Sequence, residues 1–198
     1  MVNIAKKDKE ILLCLFKDLT NYHNASSIAK EVKISRVGAY KAFKRLSKSG
    51  LLKSRKLGKS EFYTLKLGDD FVKKTLELLL MEEAREKVRR WLAEFKELST
   101  ETEILILFGS ILKSETKAHD VDLLIVLKPE NNKNINKLLD KKNEVLIKKI
   151  HPLKQTPEDL IKNLKKPDKV VLRAMKTGIV LYGQDKLVEV VKDVTLGK

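Results

Sequence analysis

The chain of 198 residues is poor in the features that mark secreted and membrane proteins. It has one cysteine, Cys14, so no disulfide can form within the chain, which fits a reducing compartment. The opening MVNIAKKDKE contains no apolar segment, and we therefore expect no secretory signal. The longest apolar stretch, around Leu78–Met81, is far too short to cross a bilayer. These absences predict a cytoplasmic protein without a membrane partner.

Charge, by contrast, is abundant and unevenly distributed. Charged residues make up 35% of the chain and apolar residues 42%, a mixture that suits one large globular domain or two small ones. The net charge is +15, and residues 1–68 hold 16 Lys and Arg against 5 Asp and Glu, which gives that part +11. Such a concentration favours a polyanion as partner of this part, although a solubilising lysine-rich surface would have the same composition.

Residues 1–68 show the pattern of three helices followed by a β-hairpin. Ser26 or Ser27 is expected to cap the second helix and Ser35 the third, which Gly50 would end. Gly58-Lys59 would form the turn of the hairpin. The predicted elements are helices over 6–19, 28–32 and 35–49 and strands over 51–57 and 60–67.

This order of elements, with the segment SRVGAYKAFKRLSKSGLLKSRKLGKSEFYTL, resembles the recognition helix and wing of the winged helix-turn-helix family. Ala39, Phe43 and Leu46 are expected to face the domain core, which leaves the basic side chains on the outer faces of the third helix. The resemblance implies binding of DNA, or of RNA, through Ser35, Arg36, Tyr40, Lys41, Lys44, Arg45 and Lys48 on the helix and Arg55, Lys56 and Lys59 on the wing.

The lysines of this surface would mainly bind phosphates, which gives salt-dependent affinity and little sequence information. Arg36 and Tyr40 are the better candidates for reading bases, since arginine can pair with guanine through two hydrogen bonds. A winged helix that binds another protein is the alternative.

A further helical pattern runs from Phe71 to about Leu98, after a start signal at Gly68-Asp69-Asp70. Its first half is apolar on more than one side, which predicts packing between domains or a homodimer seam. Its second half has one apolar face, as expected of a helix that lies on a sheet. The chain is thus predicted to contain a winged-helix domain over 1–68, a linker helix over 69–82 and a second domain over 83–198.

Two carboxylates open the second of two apolar strands in the segment LFGSILKSETKAHDVDLLIVL. The first strand, Glu103–Phe108, precedes Gly109-Ser110, and the second is Val121–Leu127. Asp120 and Asp122 are two residues apart on a strand, so both point to one face. Carboxylates this close repel each other unless a divalent cation lies between them, and Mg²⁺ suits that position because it also binds phosphates. Gly109 allows the backbone to approach a phosphate, to which Ser110 can donate hydrogen bonds.

A strand, Gly-Ser, nine residues and then Asp-x-Asp opening a strand resemble the signature of the polymerase β-type nucleotidyltransferases. Later segments resemble small prokaryotic, especially archaeal, members: a strand over 144–150, Thr156-Pro157-Glu158-Asp159 opening a helix, a helix over 168–177, and GIVLYG at 178–183. The resemblance covers roughly residues 83–192. It implies an α/β fold in which helices flank a mixed sheet.

The same resemblance implies Mg²⁺-dependent transfer of a nucleoside monophosphate from a nucleoside triphosphate to an acceptor, with Mn²⁺ as the alternative ion. Asp120 and Asp122 would bind the metal and act in catalysis, and Gly109, Ser110 and Lys113 would bind the nucleotide. Nucleic acid, a small molecule or a protein could be the acceptor, because some small members are antitoxins that nucleotidylate a partner toxin.

The chain departs from the family pattern in two places. Active members usually carry a third carboxylate on the strand after Asp-x-Asp, whereas here that strand offers Lys148, Lys149 and His151, with Glu144 at its start. A lysine there would repel a second Mg²⁺, and a lone histidine before proline is more often structural than catalytic. An Arg-Gly pair that commonly follows Gly-Ser is absent, so that Lys113 or Lys117 would supply the positive charge. An active enzyme, a catalytically degenerate DNA-binding regulator or antitoxin-like protein, and a purely structural domain are therefore all compatible with the sequence.

Overall fold

The structure, a computed structural model, describes residues 4–166 and 168–196. The chain divides into two compact units with a boundary between Leu79 and Leu80, which falls within the predicted linker helix 69–82. The outer ends of the predicted domains, residues 1–3 and 197–198, lie outside the described residues. In the part that is described, no helix has the length and apolar character needed to cross a membrane.

The first unit begins with three helices, which are followed by an antiparallel hairpin whose strands meet across Gly58-Lys59. Phe43 stacks on Tyr63 with ring centroids 4.1 Å apart, and this pair fixes the third helix against the hairpin. The order of elements is the one expected of a winged helix-turn-helix. The elements are α1 (Lys6–Lys17), α2 (Ala25–Glu31), α3 (Arg36–Lys48), β1 (Leu52–Leu57) and β2 (Ser60–Leu65).

Side-chain caps set where α2 and α3 begin. Ser35 caps α3 as expected, since its hydroxyl accepts a hydrogen bond from the backbone N–H of Gly38. The expected cap of α2 at Ser26 or Ser27 is wrong. Asn24 is the cap, its side chain accepts from the N–H groups of Ser26 and Ser27, and the Ser27 hydroxyl accepts from the Asn24 N–H. The helix therefore starts earlier than its apolar residues indicated, because a capping box can precede them.

The second unit is built on a four-stranded mixed sheet with strand order β5-β4-β3-β6. Strand β3 is antiparallel to both β4 and β6, and β4 is parallel to β5. Helices flank this sheet, so the predicted fold class is confirmed. The elements are α4 (Asp70–Lys87), which starts before the boundary of the units, α5 (Arg89–Glu94), β3 (Ile104–Phe108), β4 (Asp120–Val126), α6 (Asn132–Val145), β5 (Lys149–Gln155), α7 (Pro157–Lys165), α8 (Lys169–Thr177), β6 (Ile179–Tyr182) and α9 (Gln184–Leu196).

The prediction of one helix from Phe71 to about Leu98 is wrong. Helix α4 ends at Lys87, and Val88 leaves the helical region with φ −140° and ψ 36° before α5 begins. No glycine or proline marks this bend, so the sequence carries no signal for it. The bend lies where Val88, Trp91 and Phe95 enter the buried core of the second unit.

The strand predicted over 144–150 is also wrong. Helix α6 continues to Val145, held by the buried Ile135 and Leu139, and β5 starts only at Lys149. Pro152 lies within β5, which is tolerated because β5 is an edge strand of the sheet. In the parallel ladder with β4, Lys149 pairs with Asp120 and His151 pairs with Asp122.

The alternation of side chains along β3 and β4 separates the core from the candidate site. Leu105, Leu107, Val121 and Leu123 belong to the buried cluster that also contains Trp91. Asp120 and Asp122 occupy the alternate positions of β4 and therefore point to the other face. They lie at the edge of the sheet where β3 ends, because β3 and β4 run in opposite directions.

Candidate metal centre and basic surface

The turn after β3 is shaped by Gly109. Its φ of 86° lies in the left-handed region that other residues avoid. A Cβ atom at this position would collide with Oδ2 of Asp122 and lie 2.9 Å from the Cγ atom of that carboxyl group. Gly109 therefore provides the space that the Asp122 side chain occupies, in addition to the backbone conformation of the turn.

Asp120 and Asp122 lie side by side, partly buried, at the start of β4. Burial raises the pKa of Asp122, and the neighbouring charge of Asp120 raises that pKa further. The charges of His151 and Arg173 act in the opposite direction on the same pKa. The pair thus has the mutual repulsion that a bound cation would relieve.

His151 completes a cluster of three potential metal ligands. The parallel register of β4 and β5 places His151 opposite Asp122, and its Nδ1 atom lies 3.1 Å from Oδ2 of Asp120. One ligand atom from each of these three residues lies within 4.8 Å of the other two. Two carboxylate oxygens and an imidazole nitrogen are a donor set that suits a divalent cation. The sequence alone favoured a structural role for His151, because a lone histidine before proline carries no motif.

The sequence offered three other residues near the place of the usual third carboxylate, and their side chains are engaged by backbone carbonyls or lie on a helix. Lys148 donates a hydrogen bond from Nζ to the carbonyl of Ala118, and Lys149 donates from Nζ to the carbonyl of Asn143 at 3.0 Å. Glu144 is an exposed residue of α6 and not the first residue of a strand. The strand register pairs Lys149 with Asp120, but its ammonium group is engaged by the carbonyl of Asn143. Within residues 4–166 and 168–196, the cluster contains no third carboxylate.

Positive charge near the carboxylates comes from a residue that the sequence did not indicate. Arg173, on α8, is close enough to Asp122 to lower the pKa of its carboxyl group. Ser110 and Lys113, predicted to bind nucleotide, are exposed in the 3₁₀ turn that follows Gly109, and Lys117 is exposed after it. No sequence motif marks Arg173, because only the packing of α8 brings it to this face.

The predicted nucleic-acid surface of the first unit is exposed. Helix α3 buries one face and exposes its basic side chains on the other faces. The side chains of the hairpin turn are exposed as well. Lys44 is partly engaged, since its Nζ atom lies 3.4 Å from Glu61 and 5.4 Å from the centre of the Tyr40 ring. The exposed residues are Ser35, Arg36, Tyr40, Lys41, Lys44, Arg45, Lys48, Arg55, Lys56 and Lys59.

Arg45 differs from the other cations of α3 because it holds α1. Its guanidinium donates two hydrogen bonds to the buried carboxylate of Asp8, at 2.7 and 3.2 Å. The hydrogen bond with Asp8, followed by the charge of Asp8, raises the pKa of Arg45. Much of the charge of Arg45 is thus balanced within the protein.

Comparison with the curated proteins and with the solved structures gives no match. The family model described as "Polymerase beta, Nucleotidyltransferase" matches residues 69–187, which is more than half of the chain. The matched range contains Gly109, Ser110, Asp120, Asp122 and His151. The protein belongs to the polymerase beta nucleotidyltransferase family.

Proposed function

We propose that this protein transfers a nucleoside monophosphate from a nucleoside triphosphate to an acceptor. The observation that carries the proposal is the pair of carboxylates, Asp120 and Asp122, of which Asp122 lies against the glycine of the Gly-Ser turn. In the reaction, a nucleophilic oxygen of the acceptor forms a bond to the α-phosphorus. The bond from that phosphorus to the bridging oxygen breaks, pyrophosphate leaves, and the proton of the acceptor passes to solvent or to a nearby base.

Asp120 and Asp122 would hold Mg²⁺ or Mn²⁺. Such an ion would neutralise phosphate charge and stabilise the negative charge that develops during transfer. Ser110 would donate hydrogen bonds to a phosphate oxygen at the turn opened by Gly109. Lys113 and Arg173 would bind the triphosphate through their charges. Since the reaction consumes a nucleoside triphosphate, we place the protein in the cytoplasm.

We further propose that the first unit is a winged helix-turn-helix domain that binds nucleic acid, with DNA as the preferred partner over RNA. Exposed cations of α3 and of the hairpin turn support this, together with the net charge of +11 in residues 1–68. Arg36, Tyr40 and Lys41 are exposed on α3, and among the residues that the structure describes neither Arg36 nor Lys41 forms an ion pair with an acid. A homodimer on paired half-sites belongs to this proposal, and the mass of the protein in solution would test it.

One observation favours a second candidate function. The place next to the two carboxylates on β5 is held by His151, where active family members usually have an acid. A domain of this kind could bind nucleotide without turnover and act in a DNA-binding regulator or an antitoxin-like protein.

The deciding experiment incubates the purified chain with each α-labelled nucleoside triphosphate, Mg²⁺ or Mn²⁺, and DNA, tRNA or protein as acceptor. Asp120→Asn should lower label transfer by about 100-fold or more, because the residual site loses a charge that binds the ion. Asp140→Asn is the matched control, since Asp140 is an exposed acid on α6 outside the cluster. Transfer that is equal in wild type and Asp120→Asn would refute the assigned site. Metal-dependent nucleotide binding without transfer in wild type would favour the second function.

A further inference from the structure

The position of His151 is fixed by the strand pairing and by the residue that follows it. In the parallel ladder His151 lies opposite Asp122, while its Nδ1 atom is 3.1 Å from the carboxylate of Asp120. Pro152 restricts the preceding residue to extended backbone, which keeps His151 in the strand. The side chain is 62% exposed and can therefore turn toward an ion without disturbing the core.

The chemistry of the three donors differs from that of three carboxylates. Mg²⁺ is a hard ion that prefers oxygen ligands in octahedral geometry. Imidazole nitrogen binds first-row transition ions better than it binds Mg²⁺, in the order that rises from Mn²⁺ through Co²⁺. Mn²⁺ accepts carboxylate, imidazole and phosphate oxygen in the same coordination sphere, so it can replace Mg²⁺ in a nucleotide site.

We infer that His151 is the third ligand of the metal site and that it makes this site selective for Mn²⁺ over Mg²⁺. The inference rests on the proposed function for the existence of the site, and it adds the nature of the third ligand and of the ion. Nδ1, the nitrogen that faces Asp120, would supply the lone pair, so that Nε2 would carry the proton.

The charge of the three ligands also determines how many metal ions the site binds. Two carboxylates and a neutral imidazole carry a charge of −2, which a single divalent ion neutralises, whereas three carboxylates would leave negative charge for a second ion. The protein alone should thus bind one Mn²⁺ per chain, and a second ion would enter only with the phosphates of the nucleotide.

The test measures metal binding directly on the full chain, without nucleotide and without activity. Free Mn²⁺ is followed by its electron paramagnetic resonance signal, Mg²⁺ competes, and pulsed measurements detect ¹⁴N coupling to bound Mn²⁺. Wild type should bind one Mn²⁺ with ¹⁴N coupling. His151→Asp should lose the coupling and reduce the ratio of Mn²⁺ to Mg²⁺ affinity by about tenfold, because it restores an oxygen ligand.

Three further variants make the outcome interpretable. His119→Ala removes an exposed histidine next to Asp120 in sequence but outside the cluster, and it should leave binding and coupling unchanged. His151→Ala should weaken Mn²⁺ binding, and unchanged thermal unfolding without metal would show that this variant is folded. If Mn²⁺ selectivity and ¹⁴N coupling are the same in wild type and His151→Asp, the inference is overturned. Asp120→Asn then shows whether the metal site itself was assigned correctly. If this variant loses metal binding, the proposed site is retained without His151. If its metal binding is unchanged, the proposed site is rejected as well.

Discussion

At the scale of single residues, Gly109 connects the backbone of the turn to the position of a carboxylate. Gly109→Ala should cost about 1–3 kcal/mol of folding stability, because its φ of 86° with ψ of −155° is a conformation that essentially only glycine adopts. It should also displace the Asp122 side chain, with which a Cβ atom would collide, and thereby weaken metal binding. Thermal unfolding and Mn²⁺ titration of the same variant measure the two effects separately.

Gly50 offers the matched control for this substitution. Its φ of 78° is similar, and a Cβ atom there would meet nothing within 4 Å. Gly50→Ala should therefore lose stability through its backbone conformation alone and retain metal binding. Equal metal affinity in both variants would mean that Asp122 does not depend on the space beside Gly109.

The residues of the candidate site differ in how far the sequence could reveal them. Gly109, Asp120 and Asp122 lie close together in the chain, so order and spacing were enough to bring them into one hypothesis. His151 and Arg173 reach the carboxylates only through the strand pairing of β5 and the packing of α8. A local pattern contains no information on such tertiary neighbours, and a histidine carries no motif by itself.

At the scale of elements, two expectations that rest on local sequence signals are correct, and two that depend on tertiary packing are wrong. The hairpin turn at Gly58-Lys59 and the cap at Ser35 follow local rules, and both were predictable. The bend at Val88 and the late start of β5 satisfy the core of the second unit, which no local signal reports. Side chains alternate along a strand, so Lys149 and His151 share the face of Asp120 and Asp122, and the register with β4 places His151 opposite Asp122.

Helix α3 provides a prediction on nucleic-acid binding. The double variant Arg36→Ala, Lys41→Ala should weaken binding to duplex DNA and reduce the magnitude of the log–log salt slope by about 2, one unit for each lost phosphate contact. Fluorescence anisotropy of a labelled duplex at several salt concentrations measures both quantities. Arg45 is unsuitable for this purpose, because removing it leaves the buried Asp8 without its guanidinium partner.

A pair of lysines on the same unit serves as control for charge alone. Lys6 and Lys66 are exposed, Lys6 at the start of α1 and Lys66 after β2. Lys6→Ala, Lys66→Ala removes the same charge as the α3 variant and should change affinity and salt slope much less. If both double variants lose the same affinity and salt slope, then the contact surface lies outside α3 or the DNA responds only to the total charge.

At the scale of the whole molecule, the uneven charge bears on which acceptor the proposed transfer reaction would use. Residues 1–68 carry +11 of the net +15, so a nucleic-acid acceptor would bind mainly through the part of the chain that lacks the carboxylates. Binding and chemistry would then depend on different residues. This separation distinguishes a nucleic-acid acceptor from a protein acceptor and from a regulator.

The corresponding prediction concerns steady-state kinetics with DNA or RNA as acceptor. Arg36→Ala, Lys41→Ala should raise KM for the acceptor with little change in kcat, since the lost contacts bind the ground state and the transition state alike. Asp120→Asn should lower kcat and leave nucleic-acid affinity unchanged. If the acceptor is a protein, the α3 variant should transfer label as fast as wild type. If the protein is a regulator, wild type should transfer no label, and Asp120→Asn should still bind DNA. The changes in KM and kcat therefore show whether the acceptor is a nucleic acid that binds to the basic first unit or a protein.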